Sequence, residues 1–299
     1  MTAPRQPLAA LTLLLLAGCT AVPPPEPATQ APLPPPPAEP PVEPGPAVLQ
    51  IDGVPRQGGL VRGLAPAGTR ALTLDGAPVA FDAQGNFILG FDRDAGPQAA
   101  LVATLANGTT QSRSLAVAPG QWKLEHVNAS ITGSASSSAE FQRLRAGELA
   151  QINAARARTV ESDGWRQRFI WPVRARVSGV FGAQRIYRGT PGSYHSGLDL
   201  AGGAGTVYVA PADGVVTLAA QTPFTLEGNL LMIDHGMGLN SAFLHSQRLL
   251  VKEGDVVKQG QPLGIIGATG RVTGPHLHWS MKWNAARIDP LLSLPGADD

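Results

Sequence analysis

Residues 274–279 read Gly274-Pro275-His276-Leu277-His278-Trp279. In an extended strand residues i and i+2 face one side, so His276 and His278 project together while Leu277 points into a core. Upstream, residues 194–200 read Tyr194-His195-Ser196-Gly197-Leu198-Asp199-Leu200, a histidine with an aspartate four positions on. Phe243-Leu244-His245 lies between, so these three motifs use four of the chain's six histidines. A catalytic zinc takes three protein ligands, often two histidines and a carboxylate, and keeps a fourth position for water. Asp199 and two of these histidines meet that count. One of His276 and His278 can ligate, and the other can stand beside the reacting water or the substrate carbonyl. Asp199 and His278 lie about 80 residues apart, so the site forms only where distant strands meet. Either motif alone reads as ordinary strand residues; it is their conjunction that points to a metal.

The text around these motifs is patterned too. Trp171-Pro172-Val173, Val177-Ser178-Gly179-Val180-Phe181-Gly182 and Arg185 precede the first motif. Ala210-Pro211-Ala212-Asp213-Gly214-Val215-Val216, Ile233-Asp234-His235-Gly236 and a run from Val251 to Gly270 separate it from the second, and Asp289-Pro290 closes the region. Residues 171–292 thereby resemble the lysostaphin-type, LytM-like zinc metallopeptidases that cut peptidoglycan. The resemblance implies a β-rich catalytic domain over about two-fifths of the chain. It implies Zn2+ bound by the positions of His195, Asp199 and His278, and catalytic histidines at His245 and His276. Arg185, Tyr187 and Tyr194, close in sequence to the first ligand, are candidates to border the substrate groove.

Some relatives in this family have lost the zinc residues and act by activating amidases. All five positions are kept here, which favours an enzyme, with an amidase activator as the alternative. One departure is Phe243, where the family often has tyrosine. His235 falls in a turn and reads as structural, as does His126, which has no acidic or histidine neighbour at ligand spacing. A third reading comes from Gly254-Asp255-x-Val257-x-x-Gly260 with Met281-Lys282-Trp283, a pattern also found in biotinyl and lipoyl carrier barrels. A carrier does not account for the histidines.

The N-terminus begins Met1-Thr2-Ala3-Pro4-Arg5, continues with an apolar run from Leu8 to Leu16, and ends Ala17-Gly18-Cys19. This has signal-peptide rather than membrane-span length. It resembles a bacterial lipobox with Cys19, the chain's one cysteine, as the lipidated residue. Thr20 rather than Asp after it favours the outer membrane, so the expected location is the periplasm of a Gram-negative envelope, lipid-anchored. Thirteen prolines between Pro23 and Pro46 exclude helix and sheet. As polyproline II the tether reaches roughly 80 Å, at ~3.1 Å per residue.

Composition sets outer limits. With 299 residues and 43% hydrophobic content the chain is long enough for about two domains. A net charge of +1 with only 15% charged residues argues against nucleic-acid binding. One cysteine excludes an internal disulfide framework and a Cys-cluster zinc site. Residues 48–119 alternate short apolar runs with Asp52-Gly53, Asp75-Gly76 and Asn107-Gly108, which are hairpin-type turn pairs. They predict a small β sandwich with no evident chemistry: a spacer, a binding module or a segment covering the active site. Around 138–160, Ser138 can cap a helix whose Phe141, Leu144, Leu149 and Ile152 form an apolar stripe, with Arg143, Arg145, Arg156 and Arg158 on a solvated face. The expected fold class is mainly β. Its order is signal peptide 1–18, lipidated Cys and tether 19–47, small β domain 48–119, connecting helical segment 120–164, and catalytic domain 165–299. The expected partners are peptidoglycan and, through Cys19, a membrane; the sequence does not identify a protein partner.

Overall fold

The computed structural model describes residues 46–130 and 138–295. Cys19, the signal sequence and most of the tether therefore lie outside the described residues. The chain is mainly β, as its turn-rich sequence predicts.

The small β domain has two antiparallel sheets. β1 (Gln50–Asp52), β2 (Leu60–Leu64) and β5 (Asn86–Gly90) form the first. β3 (Thr69–Leu74), β4 (Ala77–Pro78), β6 (Gln98–Leu105) and β7 (Thr110–Ala116) form the second, in the order β4-β3-β6-β7. The Asp75-Gly76 pair joins β3 to β4 with both φ angles positive, at 50° and 82°, as a tight hairpin turn demands. Four of the five β5 residues are buried. At Gly90 an added Cβ would sit 2.8 Å from Trp283 Cβ and 2.9 Å from Ile288 Cδ1. β5 is thus wedged against the C-terminal region, and a single apolar cluster runs from Leu49 through Phe87 and Leu89 to Trp279, Trp283 and Leu294.

The segment that follows holds a strand as well as the expected helix. β8 (Leu124–Val127) pairs in parallel with β10 (Gln184–Tyr187), which pairs with β11 (Thr190–Tyr194). Helix α1 spans Ala139–Ala157, and the Ser138 hydroxyl accepts the Phe141 N–H at its start, supplying the N-cap that a helix terminus needs. Its buried stripe differs from the expected one. Glu148, Ile152 and Ala155 are buried, while Leu144 and Leu149 are 48% and 41% exposed. The reason lies in what the helix meets. Its second half lays Ile152 and Ala155 on an apolar sheet face, whereas its first half docks through ions. Arg145 grips Glu227 with two bonds of 2.6 and 2.7 Å and reaches Glu148 at 3.0 Å. Glu148 in turn accepts the Thr225 N–H and hydroxyl. Arg145 therefore belongs to the interface, not to a solvated face.

The C-terminal region is built on one large sheet. Its strands are β9 (Arg176–Gly179), β12 (Leu198–Ala201), β13 (Val207–Val209), β14 (Gly214–Phe224), β15 (Gly228–Asp234), β16 (Leu239–Leu249), β17 (Val256–Val257), β18 (Pro262–Ile266), β19 (Leu277–Trp283) and β20 (Ala286–Ile288). The main order is β17-β14-β15-β16-β19-β12-β9, all antiparallel; β18 joins β13 to β16, and β20 extends β19. Alternation along the strands sorts the side chains onto two faces. Leu231, Ile233, Phe243, Leu277, Trp279 and Met281 enter the main core. Leu218, Ala220, Leu230, Met232 and Ala242 form the second cluster under α1. His278, between Leu277 and Trp279, falls on this second face. Lys282 lies half-buried inside β19, opposite Asn240 and Arg287, not on a turn; the strand placement removes the ground for a carrier reading.

Candidate metal centre

Three strand ends bring the two motifs together. Asp199 of β12 and His278 of β19 are directly opposed in the ladder. His195 sits just beyond β11, clasped by the turn Val180–Ala183. Its N–H donates to the Ala183 carbonyl and its own carbonyl accepts the Gly182 N–H, both at 2.8 Å. Its Nδ1–H donates to the Val180 carbonyl at 3.0 Å. That bond fixes the tautomer and leaves the Nε2 lone pair facing Asp199 and His278.

The converging atoms form a small triangle. His195 Nε2 lies 3.1 Å from Asp199 Oδ1 and 3.1 Å from His278 Nδ1, and Asp199 Oδ1 lies 2.8 Å from His278 Nδ1. A tetrahedral ion with bonds of about 2.0–2.1 Å separates its ligand atoms by about 3.3 Å. The triangle is close to one face of such a tetrahedron. These two nitrogens and the oxygen converge on one point, where a single cation would satisfy all three at once. Two imidazoles and one carboxylate fit zinc in kind, number and size.

Two glycines make room for the ligands. A Cβ at Gly179 would stand 2.4 Å from Asp199 Oδ2, and one at Gly197 would stand 2.6 Å from His278 Nε2. Both gaps are shorter than a carbon atom tolerates, so side chains at these positions would push the ligands out of place. Charge is shaped equally closely. Burial works to raise the pKa of Asp199, but hydrogen bonds and charge from His195 and His278 outweigh it and hold the carboxyl well below its ordinary value. For His195, burial works downward, yet Asp199 and the Val180 carbonyl raise it overall. Burial lowers His278, with Asp199 in partial opposition.

His276 and His245 stand beside the triangle. His276 precedes β19; its Nδ1–H donates to the Gly274 carbonyl at 2.9 Å and its Nε2 comes within 3.5 Å of Asp199 Oδ1. The His245 ring is 5.0 Å from that of His276 and 6.2 Å from that of His278. It reaches this place through a break in β16. Asn229 pairs with Ser246 and Leu231 with Phe243, so two residues of β16, Leu244 and His245, oppose the single Leu230. This is a β-bulge, and His245 takes φ +65° within it. A non-glycine residue in that region is strained, and such strain gathers at functional sites. Two bonds hold it: the His245 N–H donates to the Glu227 carbonyl at 2.8 Å, and its Nδ1–H donates to the Thr269 carbonyl at 2.9 Å. Burial pushes the pKa of His245 down to about 4, against the opposing pull of the Thr269 carbonyl, so its imidazole is neutral at physiological pH. With its Nδ1 donating to a carbonyl, neutral His245 keeps an Nε2 lone pair, and His276 turns its Nε2 toward Asp199.

The remaining expectations fall at varied distances from this centre. Arg185, Tyr187 and Tyr194 line, with His195, a cleft of about 690 Å³. Arg185 pairs with Glu125 of β8 at 3.0 Å, so residues 123–125 form a wall that sequence spacing did not suggest. The Tyr194 hydroxyl is occupied by Arg287 at 3.1 Å, and its ring packs under Arg93 and Arg287. His235 is fully buried and satisfied: Nδ1–H donates to the Asp213 carbonyl at 2.7 Å, and Nε2 accepts from Ser241 Oγ at 2.8 Å. Ser241 Oγ accepts in turn from Trp279 Nε1 at 3.2 Å. His126 is exposed on β8. A larger cleft of about 950 Å³, between α1, β4 and the Asp234–Asn240 end of the sheet, contains none of the five residues; chemistry rather than volume singles out the metal centre.

Known proteins resemble this chain over the region of the site. The profile of Peptidase family M23 matches residues 193–290. The peptidoglycan DD-endopeptidase ShyC of Vibrio cholerae serotype O1 is 41% identical over 124 residues, which are 41% of this chain and 28% of that protein. The murein hydrolase activator NlpD of Escherichia coli K12 is 33% identical over 131 residues, 44% of this chain and 31% of that protein. The chain thus spans less than a third of the length of either relative. A Pseudomonas aeruginosa structure described as a peptidase M23 superposes with a TM-score of 0.62 at 28% identity, covering 81% of this chain and 96% of that one. That match extends well beyond the metal centre. Residues 193–290 of this chain are therefore a peptidase family M23 domain of the LytM type.

Proposed function

We propose that this protein is a zinc-dependent endopeptidase that hydrolyses peptide cross-links of peptidoglycan, with D-alanyl cross-links as the expected bond. The observation that carries the reading is the convergence of all five side chains: a triangle of ligand size with two further histidines beside it. His195, Asp199 and His278 would hold the ion. When bound, zinc supplies Lewis-acid polarisation of a scissile carbonyl and acidifies the attacking water. His245 and His276 supply the proton chemistry. Between them they orient the water, take its proton, donate to the carbonyl oxygen as negative charge develops, and pass a proton to the departing amine. Neutral His245 is suited to begin as an acceptor. The cleft beside His195, with Arg185 and Tyr187 on its walls, is where the peptide on one side of the bond would lie. In the envelope, Cys19 would carry the lipid anchor to the outer membrane and the tether would carry the domain towards the cell wall.

A second reading has a specific observation behind it, the 33% identity to a murein hydrolase activator. One experiment separates the two. A soluble chain beginning after Cys19 is incubated with purified cross-linked peptidoglycan, with and without a zinc chelator. Chelator-sensitive loss of cross-linked dimers supports the peptidase. Unchanged dimers, with stimulation of a separate amidase, overturn it in favour of the activator. Cys19→Ala is expected to shift the full chain out of the membrane fraction; retention there would refute the anchor.

A further inference from the structure

Arg93 belongs to the small β domain, in the loop after β5, yet its guanidinium ends inside the C-terminal region. It is 7% exposed. Nε and Nη2 both donate to the Gly182 carbonyl, at 3.3 and 3.2 Å, and Nη2 also donates to Gln184 Oε1 at 2.9 Å. Its plane is flanked by the rings of Tyr194 at 4.6 Å and Trp122 at 5.4 Å. The carbonyl it holds is in the turn that clasps His195. Gly182 takes φ +78°, and a Cβ there would lie 2.2 Å from the Trp122 ring, so the turn is closed in by Trp122 on one side and fixed by Arg93 at its carbonyl.

We propose that Arg93 is a positioning residue for the metal ligand His195, so that the small β domain completes the metal centre. The inference rests on the zinc-centre reading above. The connection is continuous: Arg93 fixes the Gly182 carbonyl, the Gly182 N–H holds the His195 carbonyl, and Val180, two residues earlier in the same turn, accepts the His195 Nδ1–H. That last bond keeps Nε2 free and aimed at the ion. A group hydrogen-bonded directly to a ligating histidine is worth about 10–100-fold in metal affinity; here that group is the Val180 carbonyl, which Arg93 holds through the turn. The forked guanidinium meets Gly182 and Gln184 together, a geometry that a lysine ammonium does not reproduce.

The test compares wild type, Arg93→Met, Arg93→Lys and Asp94→Asn as full soluble chains, each checked for folding by its unfolding transition. Zinc affinity is measured by chelator competition. The His195 Nδ1–H proton is followed by NMR in the zinc-loaded protein. Arg93→Met is expected to weaken zinc roughly tenfold or more and to broaden the Nδ1–H signal by exchange. Arg93→Lys, which keeps a cation between Tyr194 and Trp122, is expected to fall between Arg93→Met and wild type, and it decides the matter if Arg93→Met does not fold. Asp94→Asn removes only the charge of the exposed acceptor of Arg93 Nη1 and is expected to match wild type. Folded Arg93 variants with wild-type zinc affinity and an unchanged Nδ1–H signal overturn the proposal, as does equal weakening by Asp94→Asn. A wild-type chain that takes up no zinc instead refutes the metal centre itself, and this proposal with it.

Discussion

Asp234→Asn is expected to stabilise the protein. Asp234 ends β15, is 2% exposed, and accepts one hydrogen bond, from the Gly236 N–H at 2.8 Å. Burial raises its pKa from 3.8 to about 6, and the Gly236 bond only partly opposes this. Below the lower of these values folded and unfolded chains are both protonated and the group contributes nothing. As pH rises between them, the unfolded chain releases its proton first, so stability falls. Above the upper value the folded protein carries the full cost of a buried carboxylate. At about 1.4 kcal/mol per pH unit, that cost is about 1.6 kcal/mol near pH 5 and about 3 kcal/mol near pH 7.5. Asparagine keeps the acceptor for Gly236 and removes the charge. It also brings an N–H toward Asn240, which is opposite in the ladder and whose Oδ1 has no donor among the described residues. Urea unfolding followed by tryptophan fluorescence, in chelator so that metal linkage does not enter, should show Asp234→Asn gaining stability over wild type, by more near pH 7.5 than near pH 5. A variant no more stable than wild type near neutrality, or a gain independent of pH, would refute the reasoning.

Three further outcomes are expected. Asp199→Asn and His278→Ala should abolish zinc uptake, whereas His245→Ala should keep the metal and lose at least about 100-fold in dimer cleavage; retained cleavage removes His245 from the catalytic role. In acid, fully buried His235, held down to about 4 by burial, stays neutral when folded but charges when unfolded. Its contribution is intact above the ordinary histidine value and is lost as pH falls towards 4, about 3 kcal/mol in all, which unfolding of the Asp234→Asn protein across that window should expose without the opposing carboxyl. Arg145→Met leaves Glu148 and Glu227 facing each other with side chains only 11% and 15% exposed; a loss of about 3 kcal/mol is expected. Turnover should fall as well, because the Glu227 carbonyl holds the His245 amide.

The metal triangle was legible because its parts are local and chemically unusual. A histidine four residues before an aspartate points to a metal only in conjunction with a His-x-His pair, and it is the resemblance to the LytM-like family that implies which of these residues are ligands. The paired turns were legible too, since Asp75-Gly76 names its own backbone conformation. What was hidden depends on contacts distant in sequence. Nothing around Phe243-Leu244-His245 announces the bulge that turns His245 toward the site; that follows from how β15 and β16 register. Leu124 to Val127 shows no apolar alternation, because β8 is almost wholly exposed and is ordered by its partner β10. On α1 the apolar stripe was a fair inference from periodicity. The docked stripe includes a glutamate because the surface awaiting it presents Thr225, which donates to Glu148, and Glu227, which takes Arg145 of the same helix, rather than a hydrocarbon face.

Arg93 was hidden for the same reason, and it bears on where this protein divides. By motif content the chain breaks near residues 119 and 164, and the M23 match begins still later, at 193. Packing does not follow those breaks. β5 presses Gly90 against Trp283 and Ile288, β8 supplies a strand to β10, and the guanidinium of Arg93 holds the turn behind His195. A fragment limited to residues 165–299 would uncover the first surface, unpair the second and release the third. Failure of such a fragment to cut peptidoglycan would then report a damaged metal centre, not the removal of an activating domain. Cleavage by the fragment would argue equally little for relief of inhibition until its zinc affinity was known. The informative perturbation is therefore a single side chain within the intact protein, where the apolar core and the β8–β10 ladder stay in place and only the guanidinium's own contacts, to Gly182, Gln184, Asp94 and the Tyr194 and Trp122 rings, are lost.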